Sequence, residues 1–84
     1  MPSRAQRERS DRRRALRVLV DAPEGMTEAL MLAHGFRMAP LTDLYIAGLA
    51  TATVERMVAG GRTVEIVRMK ITDAGRQALA GRAK

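Results

Sequence analysis

The side chains in this sequence that are best suited to chemistry are arginines, and they are concentrated at its beginning. Residues 1–14 contain six arginines and two acidic residues, which give +4 of the formal net charge of +6. A guanidinium is a planar group whose donors match phosphate oxygens, so this arginine run is typical of a nucleic-acid-binding arm. It is also compatible with a solvated helical extension that keeps a small domain soluble. The overall preference for arginine over lysine fits a GC-rich genome at least as well as phosphate recognition.

Residues that could catalyse a reaction or hold a metal ion are few and scattered. His34 is the only histidine, cysteine is absent, and the nine acidic residues are spread along the sequence. A metal site needs three or four suitable ligands, and a nucleophile needs an adjacent base. Gly60-Gly61 is not followed by the Gly-Lys-Ser/Thr sequence of a phosphate-binding loop. We therefore expect no enzymatic activity, no cofactor and no metal.

Length and composition predict one small globular domain. The chain has 84 residues, of which 46% are apolar, and this is enough for a single small core. Without cysteine, a disulfide scaffold is excluded. No apolar run approaches the roughly 20 residues of a membrane helix, and the polar start has no secretory signal. We expect a cytoplasmic protein that does not bind membranes.

Apolar residues spaced three and four apart predict three helices in the first half of the chain. Their predicted bounds are residues 10–22 with Ser10 as N-cap, then Thr27 to Gly35, then residues 39–47 followed by Gly48. Within the third helix, Leu41 and Leu44 should face the core. That orientation leaves Thr42, Asp43 and Tyr45 on the outer surface.

After Leu49 the apolar residues alternate with a period of two, which predicts a β-hairpin. Its strands, residues 52–58 and 63–72, flank Gly60-Gly61, a pair that favours a tight hairpin turn. The expected register pairs Arg56 with Glu65 as a cross-strand ion pair.

The two faces of this hairpin have different predicted roles. One face should pack on the helices, and it carries Ala52, Val54, Val67, Met69 and Ile71. The opposite face carries an apolar strip that is a candidate partner surface, made of Met57, Val64 and Ile66.

A short last helix is predicted from Thr72, its N-cap, to Gly81. The resulting order of three helices, a hairpin and a helix is that of a winged helix-turn-helix domain. Gly48-Leu49 and the segment from Ile71 to Leu79 (ITDAGRQAL) also resemble the C-terminal half of MarR/PadR-type winged-helix domains. In that family a Gly-Leu pair ends the recognition helix, and Leu-Thr-x-x-Gly-Arg-x-x-Leu leaves the wing. The resemblance covers residues 14–81 and is a resemblance of fold.

The resemblance implies a mainly α-helical winged helix with a small hairpin. Residues 1–14 would be a basic arm or helix extension, residues 15–81 the domain, and residues 82–84 a frayed tail. It further implies a small bacterial regulator or accessory factor that binds double-stranded DNA with the third helix in the major groove. The implied contacts are Arg37, Thr42, Asp43 and Tyr45 at the third helix, Arg56, Arg62, Arg68 and Lys70 in the wing, and Arg12, Arg13 and Arg14 in the arm.

The third helix departs from the family pattern. Residues 39–47 contain no Arg, Lys, Asn or Gln, the side chains that read base edges with two hydrogen bonds. Contacts to phosphates alone would give weak and salt-dependent binding. The alternative function is a protein-interaction module or small homodimer that uses the strip Met57, Val64 and Ile66.

Overall fold

In the computed structural model, which describes residues 3–81, the chain forms four helices and a three-stranded antiparallel sheet. The elements in chain order are α1 (Arg4–Val20), β1 (Met26–Thr27), α2 (Glu28–Ala33), α3 (Met38–Ile46), β2 (Ala50–Ala59), β3 (Arg62–Ile71) and α4 (Asp73–Ala80). The order of strands in the sheet is β1-β3-β2. The fold is therefore mixed α/β, with more strand than the mainly helical fold that the sequence predicts. The predicted frayed tail, residues 82–84, lies outside the described residues.

Helix α1 begins well before its predicted start. Its N-cap is Ser3, whose hydroxyl accepts from the Gln6 amide at 3.1 Å, while the Gln6 side chain accepts from the Ser3 amide at 3.0 Å. This capping box satisfies donors that the end of a helix otherwise leaves unpaired. Ser10, the predicted N-cap, lies within the helix. The prediction was wrong because it followed the apolar period, and the first turns of α1 are polar.

The core lies between the second half of α1, α2, α3 and the base of the hairpin. The buried apolar side chains are Ala15, Leu16, Leu19, Met31, Phe36, Leu41, Leu44, Ala50, Met69 and Ile71. The predicted core positions Leu41 and Leu44 are confirmed. Residues 4–14 contribute no buried side chain, so the first half of α1 supplies charge rather than core.

The turn between α2 and α3 forms as the sequence predicts. Thr27 caps α2 by accepting from the Leu30 amide at 3.2 Å. Gly35 follows the helix with φ of +95°, a left-handed conformation that glycine adopts without strain. Phe36 then turns into the core, and α3 begins at Met38, one residue earlier than predicted.

The hairpin has the predicted register and longer strands. Arg56 lies opposite Glu65, and the turn consists of Gly60 and Gly61, both with positive φ as a type I′ turn requires. Strand β1, which the sequence analysis did not predict, pairs Met26 with Met69 at the base of the hairpin. Two residues are too few for an alternating pattern to be recognised.

Only the base of the hairpin packs on the helices. Ala50, Met69 and Ile71 are buried, whereas Val54, which the sequence analysis predicted to face the helices, is 58% exposed. Ala52 is exposed as well. A ten-residue strand is about 33 Å long, and the short helices α2 and α3 cannot cover that length. The outer half of the hairpin therefore projects into solvent on both faces.

Thr72 joins the end of the hairpin to the end of α3. Its hydroxyl caps α4 by accepting from the Gly75 amide at 3.0 Å, as predicted, and donates to the Gly48 carbonyl at 2.7 Å. Its own amide donates to the Leu49 carbonyl at 3.1 Å. The residues that carry the sequence resemblance thus form one structural junction.

Candidate nucleic-acid interface

The exposed side of α3 is largely apolar. Thr42, Asp43 and Tyr45 are exposed, as predicted, and Ile46 is 74% exposed. Thr42 and Tyr45 also line a groove of about 110 Å³ between α3 and the hairpin, whose wall includes Met69. Apart from Asp43, the outer side of α3 offers only hydroxyl groups for hydrogen bonds.

Helix α1 neutralises the charges beside α3. Arg12 donates to the Asp43 carboxylate at 3.3 Å, instead of pairing with a glutamate on its own helix. Arg37 and Arg14 both approach Asp11 at 3.5 Å, and the Arg14 guanidinium lies 4.6 Å from the ring centroid of the only phenylalanine. Three predicted DNA contacts, Arg12, Arg14 and Arg37, therefore already have carboxylate partners.

Two of the four basic residues of the hairpin are also paired across the strands. Arg56 lies 3.6 Å from Glu65, as predicted, but both side chains are exposed, so the pair adds little stability. Arg68 donates from Nε to Glu55 at 3.0 Å. This hydrogen bond, together with the carboxylate charge, raises the pKa of Arg68 above its usual value.

The other two basic residues of the hairpin are open to solvent. Arg62 directly follows the Gly-Gly turn, and Lys70 lies near the base of β3; both are exposed. Within residues 3–81, neither approaches a carboxylate closely enough to form an ion pair. Of the four predicted wing contacts, these are the two for which no carboxylate among residues 3–81 would compete with a phosphate.

The apolar strip predicted as a partner surface lies on the outward face of the hairpin. Met57 is 52% exposed and lies opposite Val64, which is 43% exposed. Ile66 is half-buried. A more exposed apolar side chain is on the other face of the hairpin, where Val58 is 78% exposed.

Sequence reasoning grouped Arg12, Arg13 and Arg14 as one arm, but the helix separates them. Arg13 points away from α3 and donates to the Leu79 carbonyl of α4 at 3.3 Å. The four-residue spacing of Arg9, Arg13 and Arg17 places these three on one side of α1. That spacing was the signal in the sequence that could have identified the group.

Other kinds of site receive no support from the geometry. Among residues 3–81, no three His, Asp or Glu side chains come close enough together to hold a metal ion. No helix within these residues is long and apolar enough to cross a bilayer. Comparison of the chain with protein-family models, curated proteins and solved structures finds no match. A function for this chain is therefore inferred from the geometry and the charges of its described residues.

Proposed function

We propose that this chain is a winged helix-turn-helix domain that binds double-stranded DNA, mainly through phosphates. Helices α2 and α3 with their tight turn would be the helix-turn-helix, and the hairpin of β2 and β3 would be the wing. The observation that carries the proposal is the groove in which α3 faces the hairpin of β2 and β3, with β1 completing the sheet in the order β1-β3-β2.

In this mode α3 lies in the major groove, and Arg62 and Lys70, at the two ends of β3, supply the open charges of the wing for neighbouring phosphates. Ile46 and Tyr45 supply apolar contacts, such as those that proteins make with thymine methyl groups. Phosphate contacts fix the position of a protein on DNA but carry no sequence information. Binding is therefore expected to depend strongly on salt and only weakly on sequence.

Removal of the two open cations of the wing tests this mode. In the double variant Arg62→Gln/Lys70→Gln, the slope of log affinity against log salt should fall by about 2, close to 1 for each lost phosphate contact. Fluorescence anisotropy with several duplexes of about 20 base pairs, measured over a range of salt, gives that slope; the loss should be similar on all of them.

The matched control is Arg4→Gln/Arg7→Gln, which makes the same change in net charge near the start of α1. It should keep a slope close to that of the wild type. If the wing variant has the wild-type slope on every duplex, the wing does not contact DNA, and the proposed mode is wrong.

A second function, protein interaction through the hairpin, is favoured by the exposure of Met57 and Val64 on its outward face. Exposed apolar patches often mark surfaces for a partner, including a second copy of the same chain. In this case the wild type should sediment as a dimer, and Met57→Asp should sediment as a monomer, because a carboxylate in an apolar contact is costly.

Val58→Asp is the control for that experiment, since it places the same charge on the opposite face of the same hairpin. It should leave the sedimentation of the wild type unchanged. A wild type that is monomeric at all concentrations excludes the homodimer. Loss of folding in Met57→Asp would place Met57 in the core, in conflict with its exposure.

A further inference from the structure

Three arginines of α1 form a stripe that has no acidic partners among residues 3–81. Arg9, Arg13 and Arg17 are four residues apart, so the stripe is about 12 Å long. Within residues 3–81, none of the three forms an ion pair with a carboxylate. The arginines that do form one are Arg4, Arg12, Arg14, Arg37, Arg56, Arg68 and Arg76. These ion pairs neutralise the side of α1 that faces α3. The side that carries Arg9, Arg13 and Arg17 stays positively charged.

Helix α4 converts this stripe into a concave surface. The hydrogen bond from Arg13 to the Leu79 carbonyl holds the guanidinium in the seam between α1 and α4. Arg13 lines two adjoining grooves, one of about 580 Å³ with Arg9 and one of about 320 Å³ with Arg17 and Arg76. Among residues 3–81, the carboxylate that forms an ion pair with one of these four arginines is that of Asp73, which is paired with Arg76 and highly exposed.

We propose that this α1–α4 trough, made of Arg9, Arg13, Arg17 and Arg76, is a second binding surface for the backbone of duplex DNA. Each strand of duplex DNA carries one phosphate for roughly every 3.4 Å of helix axis, so a stripe of about 12 Å faces several phosphates. Guanidinium groups form strong, charge-assisted hydrogen bonds with phosphate oxygens. The trough reads no bases and binds all duplexes alike.

The composition of the trough favours duplex DNA over other polyanions. A helix that lies on a membrane needs an exposed apolar face, but the apolar side chains Leu16 and Leu19 of α1 are buried. Single strands bind by stacking their bases on aromatic rings. The two aromatic side chains of the chain, Phe36 and Tyr45, lie in the core and on α3 rather than in the trough.

The arginine stripe and the outer side of α3 face different directions around α1, although Arg12 and Leu49, which border α3, also line the larger groove. Arg12 reaches α3 and the next residue, Arg13, reaches α4, and successive residues of a helix are about 100° apart. A duplex held against Arg13, Arg17 and Arg76 can therefore leave the outer side of α3 free. One copy of the protein can then hold two segments of DNA together.

The test uses Arg9→Gln/Arg17→Gln, which keeps the hydrogen bond of Arg13. Both replaced side chains are exposed and have no carboxylate partner among residues 3–81, so the melting temperature should stay at the wild-type value. The salt slope for a 20-base-pair duplex should fall by about 2. Capture of a free fluorescent duplex by an immobilised duplex, observed with the wild type, should be lost.

Arg4→Gln/Arg7→Gln makes the same charge change on α1 outside the trough and should retain capture. Equal loss in both variants would mean that only total charge matters, which overturns the proposal. Anionic vesicles or double-stranded RNA bound in preference to DNA overturn it as well.

The two surfaces are separated by NMR of labelled protein titrated with duplex. Shifts at residues 9–17 and 76 that persist in Arg62→Gln/Lys70→Gln support the trough, even if no shifts occur at α3. Shifts restricted to α3 and the hairpin support the winged-helix mode and reject the trough.

Discussion

Replacement of Gly75 with alanine is expected to lower the free energy of unfolding by about 3 kcal/mol, the upper part of the usual range for an overpacked site. Gly75 is buried in the first turn of α4, and a Cβ there would lie 2.7 Å from Ile71 Cγ1 and still closer to the Leu49 carbonyl oxygen. That oxygen cannot move away freely, because it accepts the Thr72 amide. Helix α4 must therefore shift away from the junction.

Urea denaturation followed by circular dichroism measures this loss of stability. The control is Gly81→Ala at the other end of α4, where a Cβ meets no side chain of residues 3–81 within 4 Å and the backbone φ is −65°. Alanine at such a position should be neutral or slightly stabilising. If Gly75→Ala is as stable as Gly81→Ala, then the junction is not close-packed.

The same variant connects the junction to the trough. Helix α4 carries Arg76 and the Leu79 carbonyl that holds Arg13. A shift of α4 removes that hydrogen bond and separates Arg76 from the stripe on α1. Gly75→Ala protein that is still folded should therefore no longer capture a second duplex. The NMR shifts of its hairpin residues on addition of DNA should remain.

Local signals in the sequence predicted the parts of the fold that depend on neighbouring residues. Gly60-Gly61 determined the turn and thereby the register, because a slip of one residue would move the side chains of a strand to the wrong face. Thr27 and Thr72 were identified as caps, since a cap depends on residues within one turn of the helix. The capping box at Ser3 is equally local, but the predicted start of α1 followed apolar periodicity, which that polar segment lacks.

Contacts between distant residues could not be predicted in this way. Strand β1 depends on the pairing of Met26 with Met69, more than forty residues away. The pairing of Arg12 with Asp43 requires the packing of α1 on α3 to be known. Periodicity likewise gave the face on which Val54 lies but not the extent of the helices that would have to cover it. The candidate site was affected most, because which arginines remain unpaired is decided by such contacts.

Replacement of Leu44 with alanine should have the largest effect of any single truncation in α3. Leu44 lies in the last turn of that helix and is fully buried, within the core that side chains of α1 and the hairpin base complete. Loss of a buried leucine side chain costs about 3–5 kcal/mol, because a cavity remains where the side chain was. A domain of this size has only about 3–5 kcal/mol of stability. Leu44→Ala should therefore be substantially unfolded near 37 °C.

Thermal unfolding measures the stability of Leu44→Ala, with Leu30→Ala as the control. Leu30 on α2 is about half exposed, so its truncation should cost under about 1 kcal/mol. Duplex DNA should raise the melting temperature of both variants, because a ligand that binds only the folded state stabilises it.

Both proposed DNA surfaces depend on folding: α3 must be held beside the hairpin, and the trough requires α4 docked on α1. If Leu44→Ala binds duplex with the wild-type salt slope when it is unfolded, then the arginine-rich start of the chain binds DNA by charge alone. That result would contradict both proposed surfaces. Binding that decreases in proportion to the folded fraction would instead show that DNA recognition needs the folded arrangement of arginines.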